Sequence, residues 1–242
     1  MAMDVDHGSL VRLLDLQTED SAIRRLEERR SSLPEAQRLA EVTDNLAELE
    51  ADIEIASKQA EEIGREHARL EGEVDVADQK IGREEQRLFS GNVSNPKELG
   101  ALQAEVAMLK RKKGEKEDEL LEVMLQREQA NETLARLQAE RAEAAAEAEQ
   151  LQQKVTVLTG EIEAKLATHG SARAEIASAL PDDLLKLYDQ IRASKAGVGA
   201  AALEAGTCQG CHTKLPAKEI ERLRAEGGLQ RCDNCRRILV IV

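Results

Sequence analysis

The sequence predicts a mostly α-helical protein, an elongated antiparallel coiled-coil hairpin followed by a small C-terminal α+β module. Apolar residues in the middle of the chain recur at alternating steps of three and four, which is typical of a left-handed coiled coil. The 242 residues include one Phe, one Tyr and no Trp. A chain with so little aromatic area cannot fill a wide globular core, but it can support thin helical packing.

Prolines separate the first predicted helices. Each of the four prolines falls where a helical pattern breaks, because proline cannot donate the bond from residue i to residue i−4. The first helix is predicted over residues 9–32, with Ser9 as its N-cap. After Pro34, seven heptads without interruption occupy residues 39–88. This stretch predicts the first arm of the hairpin.

A second, longer arm follows a tip at residues 90–96, which is rich in Ser, Gly and Asn and predicts a chain reversal. Ten heptads over residues 99–169 predict a helix roughly 100 Å long. Two arms joined by a short loop should lie antiparallel, with Leu88 opposite Leu99. Because the second arm outlasts the first, the helix at residues 9–32 should fold back beside it and form a three-helix base. Intermolecular coiling is the alternative.

Two features of the hairpin lie outside its apolar pattern. The basic run at residues 110–113 is followed at once by acidic residues, so we interpret it as a solvated, ion-paired face rather than a phosphate site. Phe89, the only phenylalanine, is predicted to cap the apolar seam at the tip. The alternative is a partner contact at the tip formed by Phe89, Asn92 and Lys97.

The pattern changes again near residue 181. Pro181, Asp182 and Asp183 are typical of a helix start, and they predict a short helix over about residues 181–194. We therefore place the helical hairpin domain at residues 1–195 and the C-terminal module at residues 196–242.

The sequence of the module predicts a small structure that combines strands with one helix. A strand is predicted at residues 198–203 and a short helix at residues 217–225. The tail, residues 237–242, is rich in β-branched residues. We expect it to pair with residues 200–207 and to form a small sheet.

The module contains every cysteine of the chain, in the pattern C-x2-C-x20-C-x2-C. Two close pairs at this distance can bring four thiolates to the corners of a tetrahedron, the geometry of a closed structural Zn²⁺ site. Gly210 and Asn234 precede the second cysteine of each pair and are residue types that readily adopt positive φ, which favours a tight turn. The sequence thus predicts a zinc ribbon with one structural zinc ion. Its predicted ligands are Cys208, Cys211, Cys232 and Cys235.

Disulfides and thiol redox chemistry are the alternatives for these cysteines. Residues 1–8 are polar and acidic and do not resemble a signal peptide, so we expect a cytoplasmic protein with reduced thiols. A redox C-x-x-C usually stands in a βαβ context, which this pattern lacks. The chain contains no nucleophile elbow and no H-E-x-x-H motif, and four thiolates leave zinc no position for water. We expect neither catalysis, a small-molecule substrate nor a membrane span.

The charge of the ribbon bears on its partners. Residues 207–242 carry seven basic and four acidic side chains, and four thiolates around one Zn²⁺ add about −2. The net charge that remains is only slightly positive, so it attracts nucleic acid weakly. The ribbon also has no aromatic residue for base stacking. A protein partner is therefore favoured over nucleic acid. The candidate contacts for either partner are Lys214, Arg222, Arg231, Arg236 and Arg237.

Two segments carry a resemblance to a known family. Residues 88–105 at the hairpin tip and residues 232–239 at the second cysteine pair resemble bacterial proteins with a long N-terminal coiled coil and a C4-type zinc ribbon. The family usually has glycine where Arg236 stands and an aromatic residue near Val240. The resemblance implies a non-enzymatic scaffold or adaptor. Some relatives bind an alternative sigma factor, messenger RNA or export components.

Overall fold

The computed structural model describes residues 5–241, so residues 1–4 and 242 of the predicted domains lie outside it. The chain divides into two compact units. We call residues 38–150 the hairpin unit, and residues 5–37 with 151–241 the ribbon unit. The helices are α1 (His7–Ser31), α2 (Pro34–Phe89), α3 (Pro96–Ser178), α4 (Asp182–Ser194) and α5 (Ala217–Glu226). The domain boundary between residues 195 and 196 stays a prediction, since α2 and α3 each contribute to both units.

The apolar seam of the hairpin unit follows the predicted heptads. Every seam position of α2 from Leu39 to Leu88 is buried or half-buried. On α3 the same holds for the apolar seam positions, whereas the charged positions Arg127 and Arg141 are exposed. A guanidinium group is costly to desolvate, so these two side chains extend to solvent instead of entering the seam.

Ion pairs between α2 and α3 establish their direction and register. As the residue number rises along α2, the number of the α3 partner falls, which is the signature of an antiparallel pair within one chain. The run at residues 110–113 takes part, as predicted. Lys113 of this run pairs with Asp78 of α2. The cross-helix pairs are Arg38 with Glu147, Glu50 with Arg141, Glu73 with Lys116, Asp78 with Lys113, and Glu85 with Lys110.

The hairpin tip contains one correction. As predicted, α2 ends and α3 begins on either side of residues 90–95, and the Asn95 side chain accepts the Lys97 amide at 3.0 Å. The prediction that Phe89 caps the seam is wrong, because this residue is 81% exposed. Phe89 follows the seam residue Leu88 and so lies about 100° further round the helix, away from α3.

In the ribbon unit, α1 begins earlier than predicted. Its N-cap is Asp6 rather than Ser9, because the Asp6 carboxylate accepts the Ser9 amide at 2.9 Å and the Ser9 hydroxyl at 2.6 Å. These bonds lower the pKa of Asp6, chiefly through the Ser9 hydroxyl. The capping contribution is therefore present above the ordinary pKa of aspartate and is lost as the pH falls below it.

The predicted three-helix base is present within the ribbon unit. Glu19 of α1 contacts His169 of α3 at 2.6 Å, so α1 folds back along the end of α3. Helix α4 is the third helix of this base. Their apolar faces share one core with the sheet, whose most deeply buried members are Leu13, Leu16, Leu184, Tyr188, Ile238 and Val240.

The sheet has four strands in the order β2-β1-β4-β3. The strands are β1 (Ala200–Glu204), β2 (Thr207–Cys208), β3 (Gln230–Arg231) and β4 (Ile238–Ile241). Strand β4 pairs with β1 in parallel, with Ala200 opposite Ile238. The tail therefore pairs as predicted, and the mostly α fold with a small C-terminal sheet is confirmed. Within residues 5–241, no helix is long and apolar enough to cross a membrane.

A buried polar cluster joins α1, α3 and α4, and we call it the Asp20 cluster. Asp20 is 3% exposed. Its Oδ1 accepts hydrogen bonds from Arg173 Nε at 2.8 Å and Arg192 Nη1 at 2.6 Å, and its Oδ2 accepts the Tyr188 hydroxyl at 2.7 Å. One turn earlier, Gln17 Oε1 accepts the backbone amide of the residue before β1, Gly199, at 2.6 Å. The cluster thus ties the three helices to the start of the sheet.

Tyr188 is the only tyrosine of the chain, so its titration reports on this cluster directly. Burial, with the Asp20 bond, raises the pKa of Tyr188 well above the ordinary value. Because the folded state holds the phenol proton more tightly, this stabilisation is complete below a pH of about 10 and is lost as the pH rises beyond it. We expect ultraviolet absorbance to show no phenolate in the folded protein at a pH of about 10, whereas the chain in guanidinium chloride titrates there. A folded protein whose tyrosine ionises like the denatured chain would contradict the cluster.

Candidate metal centre

The two cysteine pairs lie in equivalent turns, each at the end of a short edge strand. Cys208 is the last residue of β2, and Cys232 directly follows β3. In both turns the backbone closes in the same way: the amide of His212 donates to Cys208 O, and the amide of Arg236 donates to Cys232 O, both at 2.8 Å. The inner strands β1 and β4 hold the two edge strands, and therefore the two turns, in one sheet.

The tight turns form, but the positive φ angles are not at Gly210 and Asn234. They occur two residues later, at His212 (φ 57°) and Arg236 (φ 63°). Gly210 is required for another reason, since a Cβ there would lie 2.8 Å from the Arg237 side chain. Asn234 acts through its side chain, which donates to Thr213 Oγ1 at 2.8 Å and to Cys211 Sγ at 3.6 Å.

The four sulfur atoms lie within 4.8 Å of one another. Cys208 and Cys235 are 4.0 Å apart, and Cys211 and Cys232 are 3.9 Å apart. A tetrahedron with Zn–S bonds of about 2.3 Å has edges of about 3.8 Å. All four cysteines are free thiols. The predicted ligands therefore have the number, chemistry and spacing of a closed zinc site, and the chain holds one structural zinc.

The electrostatics of the thiols also fit a bound cation. Burial raises the pKa of Cys208 to about 12 and also raises that of Cys232. Bonding to the Thr213 side chain, with a smaller contribution from Asn234, lowers the pKa of Cys211 to about 6. A buried thiolate pair is unfavourable alone and becomes favourable beside a divalent ion. Bound zinc would join the two turns and offset this charge.

Sequence reasoning missed the role of Arg237. Its guanidinium group donates to three backbone carbonyl oxygens, at distances from 2.9 to 3.1 Å. The acceptors come from the end of α4, the loop before β1 and the first cysteine turn, so this arginine fastens the turn to the helical part of the unit. No sequence signal points to this role, because the acceptors are main-chain atoms: Lys195 O, Val198 O and Gly210 O.

The other predicted contact residues of the ribbon fall into two groups. Arg222 forms ion pairs with three carboxylates of the ribbon. In contrast, Lys214, Arg231 and Arg236 are exposed and form no ion pair within residues 5–241. Of the five predicted contact residues, three therefore carry an exposed positive charge that no carboxylate within residues 5–241 neutralises. The carboxylates around Arg222 belong to Glu219, Glu226 and Asp233.

A long helical hairpin combined with two cysteine turns around one metal position defines a coiled-coil protein with a C4 zinc ribbon. Comparison with known families agrees with both parts. The chain belongs to the family defined by the CT398-like coiled coil hairpin domain, which matches residues 16–196. A C4-type zinc ribbon domain matches residues 207–239.

Individual relatives are similar to this chain along almost their whole length. An uncharacterised protein of Mycobacterium tuberculosis strain H37Rv is 32% identical over 237 residues, which cover 94% of this chain and 93% of the relative. A solved structure from Mycobacterium smegmatis is 26% identical, covers 99% of this chain and 100% of that one, and superposes with a TM-score of 0.81. CT398 from Chlamydia trachomatis is 19% identical, covers 98% of both chains and has a TM-score of 0.65. The last similarity concerns the fold alone.

The positive φ at Arg236 leads to a prediction about the second cysteine turn. Arginine pays a steric cost in this backbone region that glycine does not, so Arg236→Gly should stabilise the zinc-loaded ribbon by about 0.5–1 kcal/mol after the entropy cost of glycine. Arg231→Gly is the matched control, because Arg231 is an exposed strand residue without positive φ. There the change should destabilise by about 0.5–1 kcal/mol. Denaturant unfolding measures the change in the free energy of unfolding for both variants. Changes of the same sign would contradict the prediction.

Proposed function

We propose that this protein is a non-enzymatic adaptor that uses its zinc ribbon as a structural element and binds a protein partner through its coil or ribbon. The observation that supports it most is the closed metal centre. Four clustered thiolates would occupy every position of a tetrahedral zinc ion, which would leave no place for a water or substrate. The zinc would then stabilise a surface instead of performing chemistry.

The two long arms support a role in binding. Helices of 56 and 83 residues expose a large area relative to the thin seam they bury. The grooves of the hairpin unit are open channels along these helices, for example the one lined by Ala56, Ile63 and Thr133 among others. Surfaces of this kind suit another polypeptide better than an enclosed small molecule.

The experiment is crosslinking in the native cell, followed by purification of the full-length, zinc-loaded chain and mass spectrometry. The adaptor function predicts a discrete protein partner that survives nuclease treatment. Capture of no protein would overturn it. The nucleic-acid alternative predicts a different result: salt-sensitive retention of RNA or DNA that is lost when Arg231 and Arg236 are replaced by Gln. The family resemblance suggests transcription or secretion as the setting of the partner.

A further inference from the structure

The hairpin unit carries an apolar surface that its own seam does not use. On α3, the large side chains of Leu121, Met124 and Leu125 are 59%, 48% and 61% exposed. Their seam neighbours Leu120 and Val123 are half-buried against α2. The three exposed residues follow the spacing i, i+3, i+4 and therefore form one contiguous patch on the helix surface.

This patch forms one wall of a groove of about 730 Å³. His67 of α2 contributes the other side, and Glu128, Asn131 and Glu132 continue the α3 wall past the apolar residues. We call this feature the mid-hairpin groove. Its floor is apolar, whereas its far end combines the carboxylates of Glu128 and Glu132 with the guanidinium group of Arg127 and is acidic on balance.

Acidic residues lie at both ends of the apolar patch. Asp118, Leu121, Leu125, Glu128 and Glu132 follow each other at steps of three, four, three and four, so they share one face of α3. Within residues 5–241, the carboxylates of Asp118, Glu128 and Glu132 form no ion pair, in contrast to those that bridge α2 and α3. This face therefore presents apolar side chains between unpaired negative charges.

A second copy of the chain does not fit this pattern. Residues 118–132 contain five carboxylates and one guanidinium group. In a parallel arrangement the acidic ends of two copies would meet, and in an antiparallel arrangement Asp118 would face Glu128 or Glu132. Like charges in such positions are destabilising. The complementary occupant is apolar in its centre and basic at both ends.

We propose that the mid-hairpin groove docks an amphipathic helix of a protein partner, with apolar residues in the middle and Lys or Arg at both ends. The inference rests on the adaptor function and identifies the surface through which it acts. From Asp118 to Glu132 the face extends for about 21 Å, which corresponds to a partner helix of about 15 residues. Apolar anchors supply affinity and the basic ends set orientation and partner choice.

The test uses designed, fluorescein-labelled helical peptides of about 15 residues. One peptide has a leucine face with lysines at both ends, a second has glutamates at both ends, and a third is a scramble of the first. Anisotropy titrations use the full-length, zinc-loaded protein. We expect saturable binding of the basic-ended peptide alone, with an affinity that falls as salt rises.

Variants locate the binding. L121Q with L125Q should weaken binding of the basic-ended peptide by at least about tenfold, because two apolar contacts are lost. V76Q is the matched control, since Val76 is an exposed apolar residue of α2 (63%) outside the groove; its affinity should not change. E128K with E132K should shift the preference toward the acidic-ended peptide. All substituted positions are exposed, and circular dichroism verifies that the helices persist.

Three results would overturn the inference: equal binding of the scrambled peptide, unchanged affinity in L121Q with L125Q, or self-association of the protein that these two substitutions abolish. The last result would mean that a second copy covers the groove. The adaptor function is judged separately. If crosslinking still captures the same protein partner with L121Q and L125Q, the groove inference fails and the adaptor function stands. If the chain captures no protein, the adaptor function fails.

Discussion

Removal of zinc is expected to unfold the ribbon and leave the helices of the hairpin unit intact. The interior of the ribbon is a small cluster in which two of the predicted ligands, Cys208 and Cys232, are themselves fully buried members. A module of this size buries too little apolar area to fold alone. Structural zinc contributes about 10–16 kcal/mol in zinc-finger peptides, far more than the remaining contacts can replace. Without the ion, the folded ribbon should not be populated.

The consequence should extend to the helical part of the ribbon unit. Strand β4 supplies Ile238 and Val240 to the core shared with α1 and α4. If the sheet unfolds, this core loses the apolar side chains of β4. The melting temperature of α1 and α4 should therefore fall. The hairpin unit has its own seam and should melt as before.

Limited proteolysis with mass spectrometry, before and after chelation, measures this effect. We expect cleavage within residues 205–237 only in the chelated protein, while far-ultraviolet circular dichroism retains most of its helical signal. Cys208→Ser should behave like the chelated protein. His212→Ser is the matched control, because His212 is exposed and directly follows Cys211; it should keep its zinc. A chelated chain as resistant as the zinc-loaded chain would disprove a structural role for the metal.

The second large effect is expected at the Asp20 cluster. Asp20→Ala removes the buried acceptor shared by Arg173, Arg192 and the Tyr188 hydroxyl, and leaves the two arginines only the more exposed Asp189. Loss of one partner from a buried ionic network costs about 3–5 kcal/mol. Because the two arginine side chains are 26% and 34% exposed, we expect a cost at the lower end of this range. The ribbon unit should therefore unfold at a much lower urea concentration.

Asp189 provides the matched control for this variant. It contacts the same two arginines, at 3.2 and 3.6 Å, but its side chain is 44% exposed, against 1% for Asp20. Asp189→Ala should cost less than about 1 kcal/mol, as exposed ion pairs do. If Asp20→Ala and Asp189→Ala shift the urea midpoint equally, burial does not determine the strength of the cluster.

Local patterns predicted most of the architecture. The heptads placed the seam of α2 position by position and predicted its antiparallel pairing with α3, because coiled-coil packing repeats with the sequence. The tail at residues 237–242 was predicted as a strand from β-branched residues alone. The four cysteines were recognised from spacing, since zinc requires only that two short turns come together.

The failures share a cause. The side chain of Phe89 was assigned to the seam from its position near the tip. Because Phe89 is one residue beyond the seam residue Leu88, the helix directs its side chain to solvent. Positive φ was assigned to Gly210 and Asn234 by residue type, although the turn geometry requires it at His212 and Arg236. In each case the backbone path, and not the residue preference, decides the orientation.

The sequence by itself determined the periodic and local features of this protein: the two arms, their antiparallel pairing, the tip and the four-cysteine motif. Only the tertiary structure decided which distant groups meet. Asp20 finds Arg173 and Arg192 more than 150 residues away, and Arg237 finds three backbone carbonyls that carry no side-chain signal. The physical reason is that helical periodicity and short-range turns are encoded by neighbours in the chain, whereas the partners of a buried charge depend on how whole elements pack.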